Sequence, residues 1–484
     1  MTQGDDAPLG GDERDMLLAP LASFAVIVLA VSGGSDSTAL LHLVHDWARQ
    51  HKRSPESLIA VTVDHGLRPE SAAEAELVAG QARGLGIEHR TARWVGPAPA
   101  AGLQAAARQA RYRLLSEVAA EKAVKAGGPA VIVTAHTADD QAETLVMRLA
   151  RGSGVGGLAS IPPISHVPIR TTTAGEGSSC AVLRPLLGVS RQRLIATLAV
   201  NAVPFSGDPS NRDRRFERVR VRQALDVLQP LGVSRDALAR SARRLQSALE
   251  VLEQAADDLE ARAVTSIAEL VYDVDRAQLA QAPRETSVRL VRRLLVRAGG
   301  AAPPADLGAI ETAVDRLIEL PVVSAFTLGG CIVDIDRETS STLGLVRIYR
   351  EPDRDGGLPH VELMPGEAVR WDERFLVAVR AGYSSRVVVG PLGADWSGVL
   401  AAFPSLARVG LPRAAARGIP AFRGADGLLA VPLLAGLLRH LGEVEMAPQL
   451  IDPSEEAPGG LITPIFTTIP IREDPIYGQG PPGD

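Results

Sequence analysis

Ser32-Gly33-Gly34-Ser35-Asp36-Ser37 stands directly after the longest apolar run of the chain, residues 24–31 (FAVIVLAV). It opens a segment, 37–50, whose apolar residues Leu40, Leu41, Val44 and Trp47 fall at helical spacing. An uninterrupted apolar run of this kind reads as a strand buried on both faces, as in a parallel sheet. The hexapeptide is then a strand-to-helix turn. Its glycines let the backbone approach an anion closely, and the helix start offers free N–H groups and a favourable dipole. Ser35 and Ser37 add hydroxyl donors. Asp36 would repel a phosphate unless a divalent cation bridges the two, which makes it a candidate Mg2+ ligand. The loop has neither the G-x-x-x-x-G-K-[ST] pattern nor the dinucleotide G-x-G-x-x-G pattern. A plain glycine turn with an Asp or Ser helix cap is the alternative reading.

The unit repeats. Strands are expected at 58–63, 88–95 and 130–135, and helices at 71–83, 103–124 and 140–151. Strands alternating with helices predict an α/β fold with a parallel sheet and right-handed crossovers. Residues 161–180 are rich in Pro, Thr and Ser and read as a loop, and 194–200 as a short helix. Residues 235–263 form a long amphipathic helix with the look of a connector. Helices are expected around 284–297 and 307–318, and short strands around 325–333 and 344–349. The expected organisation is a flexible N-terminus (1–20), an α/β domain (21–225), a helical middle domain (226–350), a small β-rich domain (351–450) and a disordered tail (451–484) rich in Pro, Gly and acids.

A chain of 484 residues is too long for one core, and 46% hydrophobic with 22% charged residues is the balance of a globular protein. No apolar run approaches the roughly 20 residues that span a bilayer. Asp5, Asp6, Asp12 and Glu13 leave no basic start for a signal peptide, so a cytoplasmic location with no membrane association is expected. Two cysteines, Cys180 and Cys331, exclude a disulfide framework and a structural zinc site. The net charge of −6 argues against a general nucleic-acid binder, yet nine arginines from Arg184 to Arg222 face only Asp208, Asp213 and Glu217, a local charge of +6.

Other candidates follow from position. His136 lies at the C-terminal end of the fourth strand, where α/β sites form, and could contact phosphate. Asp140 and Glu143 are three apart on one helix face, so both carboxylates can hold one ammonium and help remove its proton; an acidic first turn favoured by the helix dipole is the alternative. Arg108 and Arg111 share a helix face and could neutralise phosphate, or form a solvated basic face.

The hexapeptide resembles the PP-loop of the N-type ATP pyrophosphatases, which implies cleavage of ATP between its α- and β-phosphates and adenylation of a substrate. Further motifs follow in order: Val63-Asp64-His65-Gly66-Leu67-Arg68, Gln104-Ala105-Ala106-Ala107-Arg108-Gln109-Ala110-Arg111-Tyr112, Thr134-Ala135-His136, Asp139-Asp140-Gln141-Ala142-Glu143-Thr144, Arg184-Pro185-Leu186-Leu187 and Asp208-Pro209-Ser210-Asn211. Together they resemble the bacterial tRNA(Ile)-lysidine synthetase family across 24–225. The resemblance implies ligation of free lysine to the wobble cytidine of the CAU anticodon of isoleucine tRNA, with ATP as co-substrate and Mg2+. It implies Ser32, Gly33, Gly34, Ser35, Asp36, Ser37, His136 and Arg111 at ATP, Asp140 and Glu143 at lysine, and Arg108, Arg214, Arg215 and Arg218 at tRNA.

The chain departs from the family pattern at Thr137, where a second histidine is common, at Phe205 and Gly207, where a tryptophan and an acid are usual, and at Val219, where an asparagine is usual. The competing classes are PP-loop tRNA thiolation, glutamine-fed amide formation and an RNA-binding relative without activity. The two cysteines sit in unrelated segments, which argues against the first. Oligomeric state is left open.

Overall fold

The computed structural model describes residues 7–64, 66, 71–94, 103–169, 179–207, 217–319, 324–336, 344–352, 357–441 and 466–470. They fall into two compact units, one within residues 1–250 and the other within 251–476.

The first unit runs α1 (Gly11–Leu18), β1 (Val26–Ala30), α2 (Ser35–Gln50), β2 (Leu58–Asp64), α3 (Ser71–Gly84), β3 (Glu88–Arg93), α4 (Leu103–Ala126), β4 (Ala130–Val133), α5 (Ala138–Ala150), α6 (Val155–Leu158), β5 (Ile164–Pro168), β6 (Ser179–Leu183), α7 (Arg191–Val200), α8 (Glu217–Leu228) and the first part of α9 (Arg235–Ala263). Its sheet has the order β3-β2-β1-β4-β6-β5. β1 pairs in parallel with both neighbours, Ile27 lying opposite Leu58 on β2 and Val131 on β4. Only β5 runs antiparallel, against β6.

The apolar run is central because both its faces are covered. Ile27, Leu29 and Val31 pack with Leu40, Leu41, Val44 and Trp47 of α2, while Val26 and Val28 pack with Leu115 and Val118 of α4. Alternate residues of one strand thus enter opposite layers, as the period of two requires. Strand order reverses between β1 and β4, so the loops after these two strands leave toward opposite layers and open a crevice at their C-terminal ends.

Three expectations are corrected. Residues 7–20 are not loose: Leu18 and Leu21 are each 1% exposed in the core, and the Leu9 amide donates to Thr197 Oγ1 at 2.9 Å. The stretch read as a loop at 161–180 contains β5 and the start of β6, paired Ile164 to Leu183 through Pro168 to Ser179. The helical middle region holds more strands than those expected around 325–333 and 344–349, since two more, Val264–Ile267 and Val271–Asp275, join them. α10 (Arg276–Gln281), α11 (Arg284–Gly299) and α12 (Leu307–Glu319) accompany a five-stranded antiparallel sheet, ordered β7-β8-β11-β10-β9, of β7 (Val264–Ile267), β8 (Val271–Asp275), β9 (Phe326–Leu328), β10 (Cys331–Asp336) and β11 (Leu345–Arg350). Gly329 and Gly330 join β9 to β10 at φ 57° and 75°, the positive values a two-residue hairpin needs.

The β-rich end of the second unit contains β12 (Val361–Leu363), β13 (Ala368–Trp371), β14 (Phe375–Val379), β15 (Val387–Pro391), β16 (Pro420–Gly424) and β17 (Gly427–Ala430). Phe466–Pro470 adds β18 beside β14; the rest of the tail expected to be disordered lies outside the described residues.

Because Leu21 is fully enclosed, Leu21→Ala should destabilise the protein by about 2–5 kcal/mol. A denaturation midpoint unchanged from wild type would instead mean that the N-terminal segment does not belong to the core.

Candidate active site

Three helices start at the crevice. α2 follows β1, α5 follows β4, and α7 follows β6 through a short turn. In the loop after β1, Gly33 has φ 87°, a conformation that favours glycine, and a side chain there would press on Val78 Cγ2 at 3.4 Å. Thr38 is bonded back to the Gly34 carbonyl at 3.0 Å. The amides of Ser35, Asp36 and Ser37 therefore precede the first intrahelical bond and are free for an anion.

Ser37 has a role the sequence did not suggest. Its hydroxyl donates to the Gly34 carbonyl at 3.1 Å and accepts from the Ser32 amide at 3.1 Å. It braces the loop from inside; the hydroxyl of the exposed Ser32 lies 3.2 Å from it, and Ser35 Oγ donates to Asp36 Oδ1 at 3.0 Å.

Asp36 is not alone. Arg191, the first residue of α7, donates through Nε to its two carboxylate oxygens at 3.2 and 2.9 Å, with a second guanidinium nitrogen 2.7 Å away. The Arg191 backbone amide donates to Asp139 Oδ2 at 2.8 Å. Asp139 also lies 3.5 Å from Arg235 Nε. Burial works against the charge of Arg191, but Asp36 above all, then Asp140 and Glu143, hold it above the ordinary guanidinium value. An arginine directly after the cap Ser190 is unfavourable for a helix dipole, which is the one sequence signal that it has another task.

Asp140 accepts from the Thr137 amide at 2.8 Å and the Thr137 hydroxyl at 2.9 Å, both on Oδ2. This is the reciprocal cap of α5, so the helix-start reading of Asp140 holds, and Oδ1 makes no hydrogen bond among the described residues. Burial opposes its ionisation, but His136, Arg218, the Thr137 amide and Arg191 hold it below the ordinary value. Thr137, at a departure from the family pattern, thus has a structural reason to be a threonine.

Glu143 is fully buried. Oε1 accepts from Arg222 Nε at 2.7 Å, and Oε2 has no hydrogen-bond partner among the described residues. Burial raises its pKa, against the attraction of Arg222. Arg222 was missed at the sequence level; Arg218 and Arg222 are four apart on α8 and share a face, and α8 packs on α5.

His136 bonds Thr134 Oγ1 through Nδ1 at 2.8 Å. Burial pushes its pKa down to about 3, with Arg184, Arg108 and Arg218 acting in the same direction against Asp140. It is neutral at physiological pH. Arg108 lies over the Tyr112 ring at 5.2 Å, and it and Arg111 are exposed on α4.

The +6 segment is partly spent inside the protein. Arg184 is buried on the Pro162 carbonyl and Ser165. Arg193 forms a two-bond pair with Glu13 at 2.7 Å. Arg191 and Arg222 meet Asp36 and Glu143 as described. Arg214 and Arg215 lie outside the described residues.

Among the described residues no group of three or more His, Cys, Asp or Glu side chains could hold a metal by itself. A cation carried largely by phosphate oxygens needs fewer protein ligands, and a carboxylate has lone pairs enough to keep Arg191 while ligating it. Burial raises Cys180 to about 11 and Cys331, in the other unit, to about 12, so neither thiol is a nucleophile at neutral pH. No helix among the described residues is long and apolar enough to cross a membrane.

A glycine turn with free helix-start amides after the central strand of a largely parallel sheet, with a histidine and two carboxylates at the next strand's end, is the arrangement of a PP-loop domain. The PP-loop domain family matches residues 13–228. The chain is 42% identical to the tRNA(Ile)-lysidine synthase of Bradyrhizobium sp. (strain BTAi1) over 321 residues, which cover 65% of this chain and 85% of that one. It is 42% identical to that of Rhodopseudomonas palustris over 320 residues, 66% of this chain and 87% of that one. It is 36% identical to that of Ruegeria pomeroyi over 409 residues, 84% of this chain and 88% of that one. This chain belongs to the tRNA(Ile)-lysidine synthase family.

His136, held neutral by burial, should show no titration of its ring signals between pH 5 and 8. An NMR inflexion inside that window, absent from His136→Gln, would place the imidazole in a wetter site than described.

Proposed function

We propose that this chain uses ATP to convert the wobble cytidine of the CAU anticodon of isoleucine tRNA to lysidine. The cytosine 2-carbonyl oxygen attacks the α-phosphorus of ATP and pyrophosphate leaves. The ε-amine of free lysine then attacks C2, the C2–O bond breaks, and AMP departs with that oxygen.

The carrying observation is the Glu143 carboxylate, buried at the crevice with Oε2 unsatisfied. A buried acceptor without a donor is costly, and an ammonium supplies the donor. Lysine's amine is protonated in water, with a pKa near roughly 10.4, so it must lose a proton before it attacks. A carboxylate raised by burial is a better proton acceptor than an exposed one. Asp140 Oδ1 lies on the same helix face and would share the ammonium, while its other oxygen keeps the helix start in place.

The Ser35–Ser37 amides would receive the phosphates of ATP. Asp36, fixed by Arg191, would ligate the Mg2+ that neutralises them. His136, a neutral donor or acceptor, and Arg111 would contact the nucleotide. Arg108 and Arg218, both exposed at the crevice, with Arg214 and Arg215, would meet RNA phosphate. Arginine suits that work because its planar fork pairs phosphate with two bonds.

The direct test is incorporation of labelled lysine into an isoleucine tRNA transcript, dependent on ATP, with methionine tRNA as the control; no incorporation would overturn the reading. Two variants examine the roles. Asp36→Asn should lower pyrophosphate release about 100-fold or more, the scale of losing one group that stabilises developing charge, with tRNA binding retained. Glu143→Gln, which spares the α5 cap, should raise the lysine KM by about tenfold or more, the scale of a lost charged hydrogen bond. Normal lysine dependence would remove Glu143 from the amine site.

A further inference from the structure

We propose that the outward basic face of α9, formed by Arg240, Arg243 and Arg244, binds the sugar–phosphate backbone of the RNA whose base is modified at the adjoining crevice; this rests on the tRNA reading above. Between Ala237 and Leu249 the helix carries these three arginines and no acid. All three are exposed, whereas Ala239 and Ala242, on the adjoining face of the helix, are 2% and 0% exposed. At 100° per residue the three guanidinium stems fall within about a third of the helix circumference.

Other arginines of this unit, Arg49, Arg83, Arg111 and Arg218, are likewise left to solvent, but many are paired. Arg90, Arg184, Arg191, Arg193, Arg222 and Arg235 all meet carboxylates, hydroxyls or carbonyls. Arg240, Arg243 and Arg244 make no ion pair or hydrogen bond through their side chains among the described residues. Arg240 and Arg244 are also four apart, a like-charge spacing that costs an isolated helix about 0.2–0.5 kcal/mol. The face therefore adds nothing to the stability of its own helix. The rest of α9, in the second unit, is built the opposite way: Glu253 meets Arg289 and Arg293, Asp257 meets Arg293, and Glu260 meets Arg297. One helix thus has an acidic part consumed by internal pairs and a basic part left to solvent.

The basic part is also anchored at the crevice. Arg235 ties the helix start to Asp139, the neighbour of Asp140, and to Asp226 of α8. Arg243 passes over Gly188 in the turn that delivers Arg191 to Asp36, with a guanidinium nitrogen 3.9 Å from where a Gly188 side chain would begin. The three arginines follow Arg235 by five to nine residues, about 8–14 Å along the axis. A polyanion presenting one base to the crevice has further phosphates at that range, and arginine binds phosphate irrespective of sequence.

The test compares the full chain with R240Q/R243Q/R244Q and R240K/R243K/R244K, titrating isoleucine tRNA transcript across salt concentrations by fluorescence anisotropy. Gln keeps the helix propensity of the replaced residues. Removing three arginine–phosphate pairs should flatten the log–log salt slope by about 2–3 and weaken binding 10-fold or more at 0.1 M salt. The ATP KM at saturating tRNA should not change, and the Lys variant should keep most of the slope. A folded Gln variant with wild-type slope and affinity overturns the assignment. So does lost affinity with an unchanged slope, and so does loss of binding to vesicles of acidic phospholipid with tRNA binding intact, which would give the face to a membrane. If wild type incorporates no lysine while its RNA slope still depends on these arginines, the reaction assigned above fails and the surface assignment stands.

Discussion

The pair between Asp36 and Arg191 joins two helix starts that would otherwise be independent. Asp36 lies in the first turn of α2, just after the glycine turn; Arg191 begins α7, and its backbone amide reaches Asp139 in the first turn of α5. Three positive helix ends converge on one crevice, and they repel one another unless negative charge lies between them. Asp36 and Asp139 supply it. The same arrangement keeps Asp36 aimed, so the acid that looks out of place after a glycine turn is a structural tie as well as a candidate cation ligand. Removing its charge would loosen α7 from α2 along with any effect on ATP.

The chain handles its arginines in two ways. Most of those described near the crevice are neutralised by a specific acid or shielded by carbonyls. A smaller set, on α4, α8 and α9, projects outward. Net charge cannot separate the two, because both count equally in the −6 total. Partnering can.

The second unit relies on a similar device. Asp372, 4% exposed, accepts from Arg350 at the end of β11 at 3.0 and 3.2 Å and from Arg374 at 2.7 Å, while Arg374 also lies 5.0 Å from the Phe375 ring centroid. Two guanidinium groups around one carboxylate bind the five-stranded sheet to the β13–β14 hairpin. Such a buried triad contributes little net stability but penalises any other packing of those parts heavily. Each unit thus fixes a joint between its own elements with an Arg–Asp pair, where apolar packing alone would tolerate more than one arrangement.

The α/β class, the central strand and the phosphate turn were legible because they depend on local facts. A run of eight apolar residues has no stable place except between two layers, and Gly33 at positive φ is a backbone requirement written in one residue. The motif spacings carried the family. What the sequence could not supply was partnership across the chain. Asp36 and Arg191 are 155 residues apart, and Glu143 and Arg222 are 79 apart; no periodicity encodes such pairs. Nor does spacing alone distinguish a carboxylate that caps its own helix, as Asp140 does, from one left with an unsatisfied oxygen, as Glu143 is. Residues 7–20 looked loose because polarity was averaged over the segment, while two leucines were enough to seat it in the core. Local propensity and pattern determined which elements form and in what order. Tertiary structure alone decided which charges are spent and which remain free, because a charge's fate is set by the groups that burial brings within a few ångströms of it.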